Sequence, residues 1–588
     1  MEHTLKRIHV QAYLCSAAMP PQEQMQRLEQ FLREKYREET SLVWKETPEL
    51  TSGFRIEVGT AVYHWNLEEL YDWSFEAHKK QLEETLLQAA RKEGAVLPLL
   101  KNALEEWKPR QEFEEIGVVL SVGDEIAEVS GRSGTLFGDI LELEAGSGGW
   151  ALELKSDRIG CVLFGDDREI AVGSIVKRTG RAAGIPVGEA FLGRIVDALG
   201  SPIDGKGEIR AEGFMPVETP APGIIDRQPV NTPMETGLLA IDAMFPIGRG
   251  QRELIIGDRQ TGKTAIALDT ILNQKGKNVV CIYVAIGQKA SSVAGLVETL
   301  REHGAMEYCV VLSASASDPD PLQYIAPYAG CAMGEYFMNK GRDVLIVYDD
   351  LSKHAIAYRA ISLLLERSPG REAYPGDVFY LHSRLLERSA HLSEARGGGS
   401  MTALPIVETQ EGDVSAYIPT NIISITDGQI FLESDLFFAG QRPAVNVGLS
   451  VSRVGGDAQT KAMKKAAGTI RLELAQYREL DETTKRQLDY GQGLMRLLRQ
   501  RQHSPQSQHE QVIALTAALH HVMQNIPVSQ IEEFRRELVK EMEQREPALC
   551  RELDREGILT DERQEAILQR AKEFLARWLS DRNAEGGV

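Results

Sequence analysis

The sequence predicts a multidomain protein in which a small α+β unit is followed by a β-barrel, a parallel α/β domain and an α-helical bundle. The length of 588 residues is enough for about four folding units. Glycine-rich segments with short strands give way near residue 190 to apolar strands that alternate with helices, and only helical periodicity remains at the end. The predicted domains are residues 1–94, 95–189, 190–457 and 458–588.

The amino-terminal unit combines strand-like segments with helical ones. Its strand candidates lie at 7–13, 41–45 and 54–58. A helix is expected at 21–37. Apolar residues recur every three or four positions over 67–91 and predict a second helix, which Gly94 interrupts. The first domain boundary is therefore placed at Gly94.

The second domain is predicted to be a barrel. After a short helix expected at 97–107, the segment 115–187 is rich in glycine and in short runs of valine, isoleucine and leucine. Its strand candidates are 117–122, 140–144, 151–154 and 161–163. Several short strands separated by glycine and aspartate turns predict a small closed or nearly closed β-barrel, which ends before Gly193.

The third domain alternates apolar strands with helices. Its strand candidates are 253–256, 278–285, 309–313 and 344–348. They are almost continuously hydrophobic, as parallel strands covered by helices on both faces are. Beyond Ala458 the chain consists mainly of lysine, arginine, glutamate, glutamine, leucine and alanine, and the helical pattern breaks at Pro527. This composition predicts the terminal helical bundle.

Charge and composition exclude several classes of function. The 66 lysine and arginine residues face 86 aspartate and glutamate residues, a net charge of −20 that disfavours electrostatic capture of nucleic acid. No apolar run approaches the roughly 18 residues of a membrane span, and the charged start lacks a signal-peptide core. Six cysteines without a CxxC pattern predict buried thiols in a reducing cytoplasm.

The sharpest motif is a complete GxxxxGKT that lies between the strand at 253–256 and a predicted helix at 265–273. Backbone N–H groups of such a loop surround phosphate oxygens, its lysine reaches the β- and γ-phosphates, and its threonine hydroxyl can bind Mg²⁺. The motif therefore predicts a site for ATP or ADP with Mg²⁺. Its residues are Gly257, Asp258, Arg259, Gln260, Thr261, Gly262, Lys263 and Thr264.

Two later strand ends complete the predicted site. The apolar strand at 344–348 leads into Asp349 and Asp350, and Asp349 is expected beside the loop, where it can hold Mg²⁺ through water. Hydrolysis also needs a general base. This is usually a carboxylate at the end of the strand next to the one that leads into the glycine motif, or P-loop. Here the strand at 282–286 leads to Gln288, and an amide cannot act as a general base. The sequence thus predicts a site that binds nucleotide without cleaving it.

Three further stretches carry a resemblance to a known family. Residues 374–388, 412–433 and 446–455 closely resemble the α subunit of F-type ATP synthases, as does the loop motif itself, and the resemblance extends over about 95–575. It implies a β-barrel, a P-loop (RecA-like) nucleotide-binding domain and a helical domain. Three such chains would alternate with three β subunits, as an α3β3 ring, around a rotating γ shaft.

The resemblance also implies roles for particular residues. Arg453 would reach across the interface to the γ-phosphate in the neighbouring β site, where such an arginine stabilises transition-state charge. Phe437, Arg442 and Pro443 would lie against the adenine, and Gln500 and Gln502 would approach it from the helical domain. From the residues alone, Arg453 would be a surface charge, Phe437 a packing residue and the glutamines solvated helix positions.

Two features depart from the family pattern. Ala290 stands where the family has a basic residue beside the nucleotide loop, so nucleotide retention is expected to change. After Leu480 the chain continues directly with Asp481, where the family has about ten more residues in a loop that faces the shaft.

The extension before residue 95 resembles the carboxy-terminal part of the synthase δ subunit in the segments 10–20 and 46–59. The match implies that the chain attaches a peripheral-stalk b-like subunit, and that a separate chain supplies the helical amino-terminal domain of δ. The alternative is an unrelated adaptor. The positions that fit are Pro48, Leu50, Gly53, Ile56 and Gly59, and those that depart are Thr47 and Ser52.

The favoured hypothesis is thus a non-catalytic, nucleotide-binding subunit of a rotary synthase at the cytoplasmic face of the cell membrane. Contact with the membrane would occur only through the membrane sector of the complex. The competing hypotheses are an autonomous hexameric ATPase of the export or RNA-translocating kind, and a regulatory module that uses ATP only as a structural ligand. Gln288 and the acidic balance favour the first.

Overall fold

The structure is a computed structural model in which two compact units divide between Ala183 and Gly184. It describes residues 10–16, 25–26, 28–30, 32–33, 40–47, 54–58, 61–65, 114–130, 135–143, 148–155, 157–165, 168, 170–479 and 485–585. The helices expected at 67–91 and 97–107, the boundary at Gly94 and the shortened loop after Leu480 lie outside the described residues.

The first unit begins with the predicted α+β extension. Its strands are β1 (Val10–Ser16), β2 (Thr40–Glu46), β3 (Phe54–Val58) and β4 (Ala61–Trp65). β1 pairs with β2 in parallel and with β3 antiparallel. A parallel pair needs a crossover, and the described residues 25–26, 28–30 and 32–33 between these strands are helical. The first strand lies three residues later than predicted, and β4 was not predicted.

The second part of this unit is a closed barrel of six strands. They are β5 (Glu114–Gly123), β6 (Ile126–Ser130), β7 (Asp139–Leu143), β8 (Gly148–Leu154), β9 (Arg158–Leu163) and β10 (Ile175–Ala182). The order is β5-β6-β9-β8-β7-β10, and β10 pairs back onto β5, with Ile175 opposite Val118. Closure removes free strand edges, and the interior is apolar. The prediction of a barrel is confirmed.

The extension and the barrel share one hydrogen-bonded sheet. β4 pairs antiparallel with the start of β5, with Val62 opposite Ile116. The ten strands β1 to β10 therefore form one continuous arrangement. This pairing joins strands far apart in the sequence, which is why local patterns did not reveal it.

The second unit contains a mainly parallel sheet of eight strands. Its order is β12-β16-β15-β17-β18-β14-β19-β20, and all neighbours are parallel except β19 and β20. β11 and β13 form a separate antiparallel pair. The strands are β11 (Gly184–Val187), β12 (Ile195–Val196), β13 (Gly213–Pro216), β14 (Glu253–Gly257), β15 (Val279–Gln288), β16 (Cys309–Ser315), β17 (Asp343–Asp349), β18 (Ser400–Glu408), β19 (Gly428–Leu432) and β20 (Val451–Ser452).

Helices accompany this sheet along the chain. They are α1 (Leu239–Met244), α2 (Lys263–Leu272), α3 (Ala290–Glu302), α4 (Asp320–Asn339), α5 (Leu351–Leu364), α6 (Val378–Leu386), α7 (Tyr417–Ile425) and α8 (Ser434–Phe438). The central strands β14, β15 and β17 are almost completely buried, which agrees with the continuous hydrophobic runs that predicted them.

The chain ends in the predicted helical domain. Its helices are α9 (Lys461–Ala466), α10 (Ile470–Glu479), α11 (Lys485–Leu497), α12 (Gln508–Leu519), α13 (Ile531–Arg545), α14 (Pro547–Glu556) and α15 (Asp561–Glu585). Ser507 and Glu510 start α12 with a reciprocal capping box, and Pro527 lies between α12 and α13. One hydrophobic core joins these helices to the sheet domain.

Two further findings bear on the predictions from composition. All six cysteines are buried. Among the described helices, none combines the length and the apolar composition that crossing a bilayer requires.

Candidate nucleotide site

The glycine loop lies where the buried strand β14 meets the start of α2. A Cβ atom at Gly257 would stand 2.5 Å from the carbonyl oxygen of Leu432, so only glycine allows this close approach of two backbones. Gly262 caps α2 with a φ of 95°, in the left-handed region that glycine favours. The two glycines therefore allow the loop conformation, which directs the N-terminus of α2 towards the cavity.

The lysine of the motif is held inside the loop. Lys263 Nζ donates to the carbonyl oxygens of Gly257 at 2.9 Å and Asp258 at 2.6 Å. Burial lowers the pKa of this ammonium, and the negative field of Glu408 and other nearby carboxylates only partly opposes that effect. A phosphate group would supply the negative charge that a buried cation needs.

The carboxylate at the end of β17 receives three hydrogen bonds. Thr264 Oγ1 donates to Asp349 Oδ2 at 2.8 Å, and Gln288 Nε2 donates to Asp349 Oδ1 at 3.0 Å. The hydroxyl of Tyr283, a residue that the sequence analysis missed, also donates to Oδ2. Hydroxyl and carboxylate oxygens are the ligand types that Mg²⁺ prefers, so the pair of Thr264 and Asp349 fits that ion.

The position of Gln288 corrects one expectation. β15 follows β14 along the chain, but β17 and β18 lie between them in the sheet, so Gln288 is not at the end of the strand next to the P-loop strand. The connection from β14 to β15 therefore skips two positions in the sheet, which the later strands β17 and β18 occupy. The neighbour of β14 on that side is β18, which ends in Glu408.

Glu408 is an acidic residue of the site that the sequence analysis did not single out. Its Oε2 accepts a hydrogen bond from Arg259 Nε at 3.1 Å. This oxygen is thus engaged by a guanidinium of the same chain. Only the strand order reveals Glu408, because nothing in the sequence next to it marks a site.

Asp258 fixes the loop to its surroundings. Its carboxylate accepts the Thr409 hydroxyl at 2.7 Å, the Gly412 N–H at 2.8 Å and the Ser434 hydroxyl at 3.0 Å. Burial raises the pKa of this carboxyl, but the three hydrogen bonds outweigh it and the net pKa is lowered. Asp258 thus stays ionised and ties the loop to the segment after β18 and to α8.

These groups surround a cavity of about 670 Å³, within the usual size of a small-molecule site. It is lined by the predicted residues Gln260, Thr261, Gly262, Lys263, Thr264, Gln288, Asp349, Phe437, Arg442, Pro443, Gln500 and Gln502. The other predicted residues of the loop, Gly257, Asp258 and Arg259, do not line the cavity. Polar wall residues that the sequence analysis missed are Asp269, Lys353, Glu408, Arg499, Arg501 and Glu532.

The far end of the cavity is built from an aromatic ring and glutamines. The Arg442 guanidinium lies 4.4 Å from the centre of the Phe437 ring. Gln500 Nε2 donates to the Gly237 carbonyl at 2.7 Å and to the Ser504 carbonyl at 2.8 Å. The Gln500 amide therefore shapes the loop that carries Gln502. Ala290 begins α3, is exposed and does not line the cavity.

Arg453 lies apart from this cavity. It follows the short strand β20 and is exposed, and its backbone N–H donates to the Asp427 carbonyl at 2.9 Å. Within the described part of the chain, its guanidinium makes no hydrogen bond or ion pair. Its positive charge acts on the buried Glu253, where it lowers the pKa and so partly opposes the effect of burial.

The fold and the cavity define a P-loop nucleotide-binding protein. Three family models match consecutive parts of the chain. They describe the β-barrel domain (residues 112–180), the nucleotide-binding domain (237–452) and the C-terminal domain (459–574) of the ATP synthase alpha/beta family.

Full-length relatives agree with these matches. The ATP synthase subunit alpha of Acetivibrio thermocellus is 57% identical over 495 residues, which cover 82% of this chain and 98% of that protein. Those of Clostridium kluyveri and Caldanaerobacter subterraneus subsp. tengcongensis are 56% and 58% identical, over 82% and 79% of this chain and 97% and 95% of those proteins. The chain belongs to the ATP synthase alpha/beta family, as an α subunit of the F type.

The family models begin at residue 112, so the δ resemblance of the extension stays a prediction. The roles of the individual site residues also stay predictions. The hypothesis of an autonomous export or RNA-translocating ATPase finds no support among these relatives, which are α subunits of ATP synthases.

Proposed function

We propose that this α subunit binds Mg·ATP in its own cavity without hydrolysing it and completes the catalytic site of a neighbouring β subunit with Arg453. The observation that carries the proposal is the contrast between two groups. An amide, Gln288, faces Asp349 in the cavity, whereas the exposed guanidinium of Arg453 makes no hydrogen bond or ion pair within the described part of its own chain.

The cavity has the groups for binding, and neither Gln288 nor Glu408 supplies a free base there. Lys263 and the N-terminus of α2 would hold the phosphates, and Thr264 and Asp349 would hold Mg²⁺, which neutralises phosphate charge when bound. Gln288 uses its amide N–H on Asp349 and has no basic oxygen. Glu408 is engaged by Arg259. Bound nucleotide would therefore persist and stabilise the subunit.

The experiment is a comparison of binding with turnover in the purified chain. Calorimetry should show one Mg·ATP bound per chain, and a coupled assay should show negligible hydrolysis. If the purified chain hydrolysed ATP and Lys263→Ala abolished that hydrolysis, the reaction would take place in this cavity. That result would contradict the proposal. If such turnover also disappeared in Glu408→Gln, Glu408 would be identified as the base.

Ring partners are supported by exposed apolar side chains. Ile224 and Ile225 are each 93% exposed and Phe438 is 78% exposed, which is unusual for large apolar residues of an isolated subunit. We assign such surfaces to contacts with β subunits of an α3β3 ring around a γ shaft. The complex would lie at the cytoplasmic face of the cell membrane and touch it only through its membrane sector.

The extension is proposed to attach the peripheral stalk through a b-like subunit and a separate chain for the helical part of δ. Its support is the sheet that β4 and β5 share, since a strand pair holds the extension more firmly than a flexible linker. The barrel closes through β10 and β5 and so does not need the extension. Deletion of residues 1–90 should leave ATP hydrolysis by the ring intact and abolish ion-driven synthesis. Unchanged synthesis would contradict stalk attachment.

A further inference from the structure

A buried carboxyl group lies at the first position of the P-loop strand, away from the cavity. Glu253 is completely buried, and its Oε2 accepts a hydrogen bond from Gln251 Nε2 at 2.7 Å. Its Oε1 is also buried and has no hydrogen-bond partner in the described part of the chain. Burial raises the pKa of Glu253 well above its ordinary value, and the hydrogen bond from Gln251 and the charge of Arg453 oppose this only in part, so the neutral acid is the expected form. An incompletely satisfied buried carboxyl group calls for an explanation, because it destabilises the fold.

The Glu253 side chain extends across β19 towards the strand that precedes Arg453. Gly428 on β19 stands opposite Glu253 on one side and opposite Ser452 on the other. A Cβ atom at Gly428 would stand 2.4 Å from Glu253 Oε2 and 2.4 Å from the carbonyl oxygen of Val451. Glycine therefore leaves the space that the carboxyl group occupies beside β20.

Gln251 connects this carboxyl group to the residue before Arg453. Its Nε2 lies 2.7 Å from Glu253 Oε2 and 3.4 Å from Ser452 Oγ. Ser452 Oγ donates in turn to the Pro246 carbonyl at 2.8 Å. The amide of Gln251 is itself fixed, because its Oε1 accepts the Gly248 N–H at 2.8 Å. The side chain of Ser452 is thus held from the base of β14.

A second link fixes the backbone of Arg453 from the same place. The Arg453 N–H donates to the Asp427 carbonyl, and the Asp427 carboxylate accepts two bonds from the Arg252 guanidinium, at 3.0 and 2.8 Å. Residues 251, 252 and 253 therefore all help to fix the point at which the Arg453 side chain leaves the backbone. None of the three lines the nucleotide cavity.

We propose that Glu253 is a positioning residue for Arg453, which acts through Gln251 and Ser452 to set the direction in which the guanidinium leaves the fold. The proposal rests on the role of Arg453 proposed above. A guanidinium that stabilises a transition state in another subunit must be placed to within a fraction of an ångström, and a rigid base for its backbone supplies that precision.

The test uses the purified complex that contains this chain and measures multisite ATP hydrolysis. Glu253→Met keeps the length of the side chain but removes the nearer of the two acceptors of Gln251 Nε2. It should lower kcat roughly tenfold to a hundredfold and leave the KM for ATP nearly unchanged. Glu253→Gln keeps a neutral acceptor for Gln251 and should keep most of the activity. Mg·ATP binding by the α cavity should be unchanged in both variants.

Double variants separate positioning from general damage. If Glu253 acts through Arg453, then Glu253→Met should have no further effect in the Arg453→Ala background. An equal loss in both backgrounds would overturn the inference and indicate a structural defect. If Arg453→Ala lowers turnover while Glu253→Met does not, the inference fails and the proposed function stands. If Arg453→Ala has no effect, the proposed function itself fails.

A milder variant covers the case in which Glu253→Met does not assemble. Ser452→Ala removes only the hydroxyl that meets Gln251 and Pro246. It should lower kcat several-fold, again only when Arg453 is present. Full activity of Ser452→Ala would overturn the proposal.

Discussion

The two ends of strand β14 differ in how completely their polar groups are satisfied. At the carboxyl end, Lys263, Asp258 and Asp349 each bind two or more groups of the same chain. At the amino end, within the described part of the chain, Glu253 Oε1 has no hydrogen-bond partner and the exposed Arg453 guanidinium makes no hydrogen bond or ion pair. The difference supports the proposal that one chain binds the nucleotide by itself, whereas the surface around Arg453 serves a group that another chain provides.

The largest expected effect comes from the amino end. Arg453→Ala should lower multisite hydrolysis by the complex roughly 10³-fold or more, because a charge that stabilises the transition state is lost. Nucleotide binding by the α cavity should not change. The matched control is Arg210→Ala, which removes another exposed arginine of the same unit. Near-normal turnover of the complex with Arg453→Ala would contradict the proposed difference between the two ends of β14.

A smaller effect is expected from the lysine at the carboxyl end. Lys263→Ala should weaken Mg·ATP binding by the purified chain roughly 10- to 100-fold, since a charge-assisted hydrogen bond to phosphate is lost. The stabilisation of the chain by Mg·ATP in thermal melting should decrease accordingly. Lys275→Ala, a lysine of the same domain outside the cavity, is the control. Unaltered affinity in Lys263→Ala would show that this end does not hold the phosphates.

The metal dependence of binding should respond to Asp349. Asp349→Asn keeps the shape of the side chain but removes its charge, so the part of the ATP affinity that depends on Mg²⁺ should fall roughly tenfold. Binding of ATP in the presence of a chelator should stay close to that of the unmodified chain. Calorimetry with and without Mg²⁺ separates the part of the ATP affinity that depends on the metal from the part that does not. An equal loss of affinity in both conditions would argue against a role for Asp349 at the metal.

The smallest expected effect concerns the buried carboxyl of Asp269, on the wall of the cavity. Burial raises its pKa from 3.8 to about 6, although the His503 N–H donates to Oδ1 at 2.8 Å. A raised pKa means that the folded chain binds the proton more tightly, so this group stabilises the fold at low pH. That contribution is lost as the pH rises through about 6.

Asp269→Asn keeps an acceptor for the backbone N–H of His503 and removes the pH dependence of stability that the Asp269 carboxyl causes. Relative to the unmodified chain, the variant should therefore gain thermal stability between pH 6 and 8 and lose that advantage near pH 4. Thermal melting across this range measures the difference. A constant difference at every pH would show that Asp269 does not titrate in the folded chain.

Local patterns predicted much of the site, and strand order decided the rest. The loop from Gly257 to Thr264 is contiguous, so its conformation and chemistry could be predicted from the sequence. Tyr283 and Glu408 belong to the same site, but each is an ordinary strand residue by its neighbours in the sequence. The error about the neighbour of β14 had the same origin, because chain order does not determine the order of parallel strands in a sheet.

The amino-acid sequence by itself determined the order of the domains and the phosphate-binding loop. It also determined that position 288 carries no carboxylate and, through resemblance, the family. These depend on residues close together along the chain, whose geometry is set by local sterics and hydrogen bonding. The tertiary structure alone decided that β4 pairs with β5, that Glu408 lines the cavity and that Glu253 and Ser452 lie on opposite sides of Gly428. Those arrangements depend on contacts between distant segments, which are selected by the packing of the whole fold.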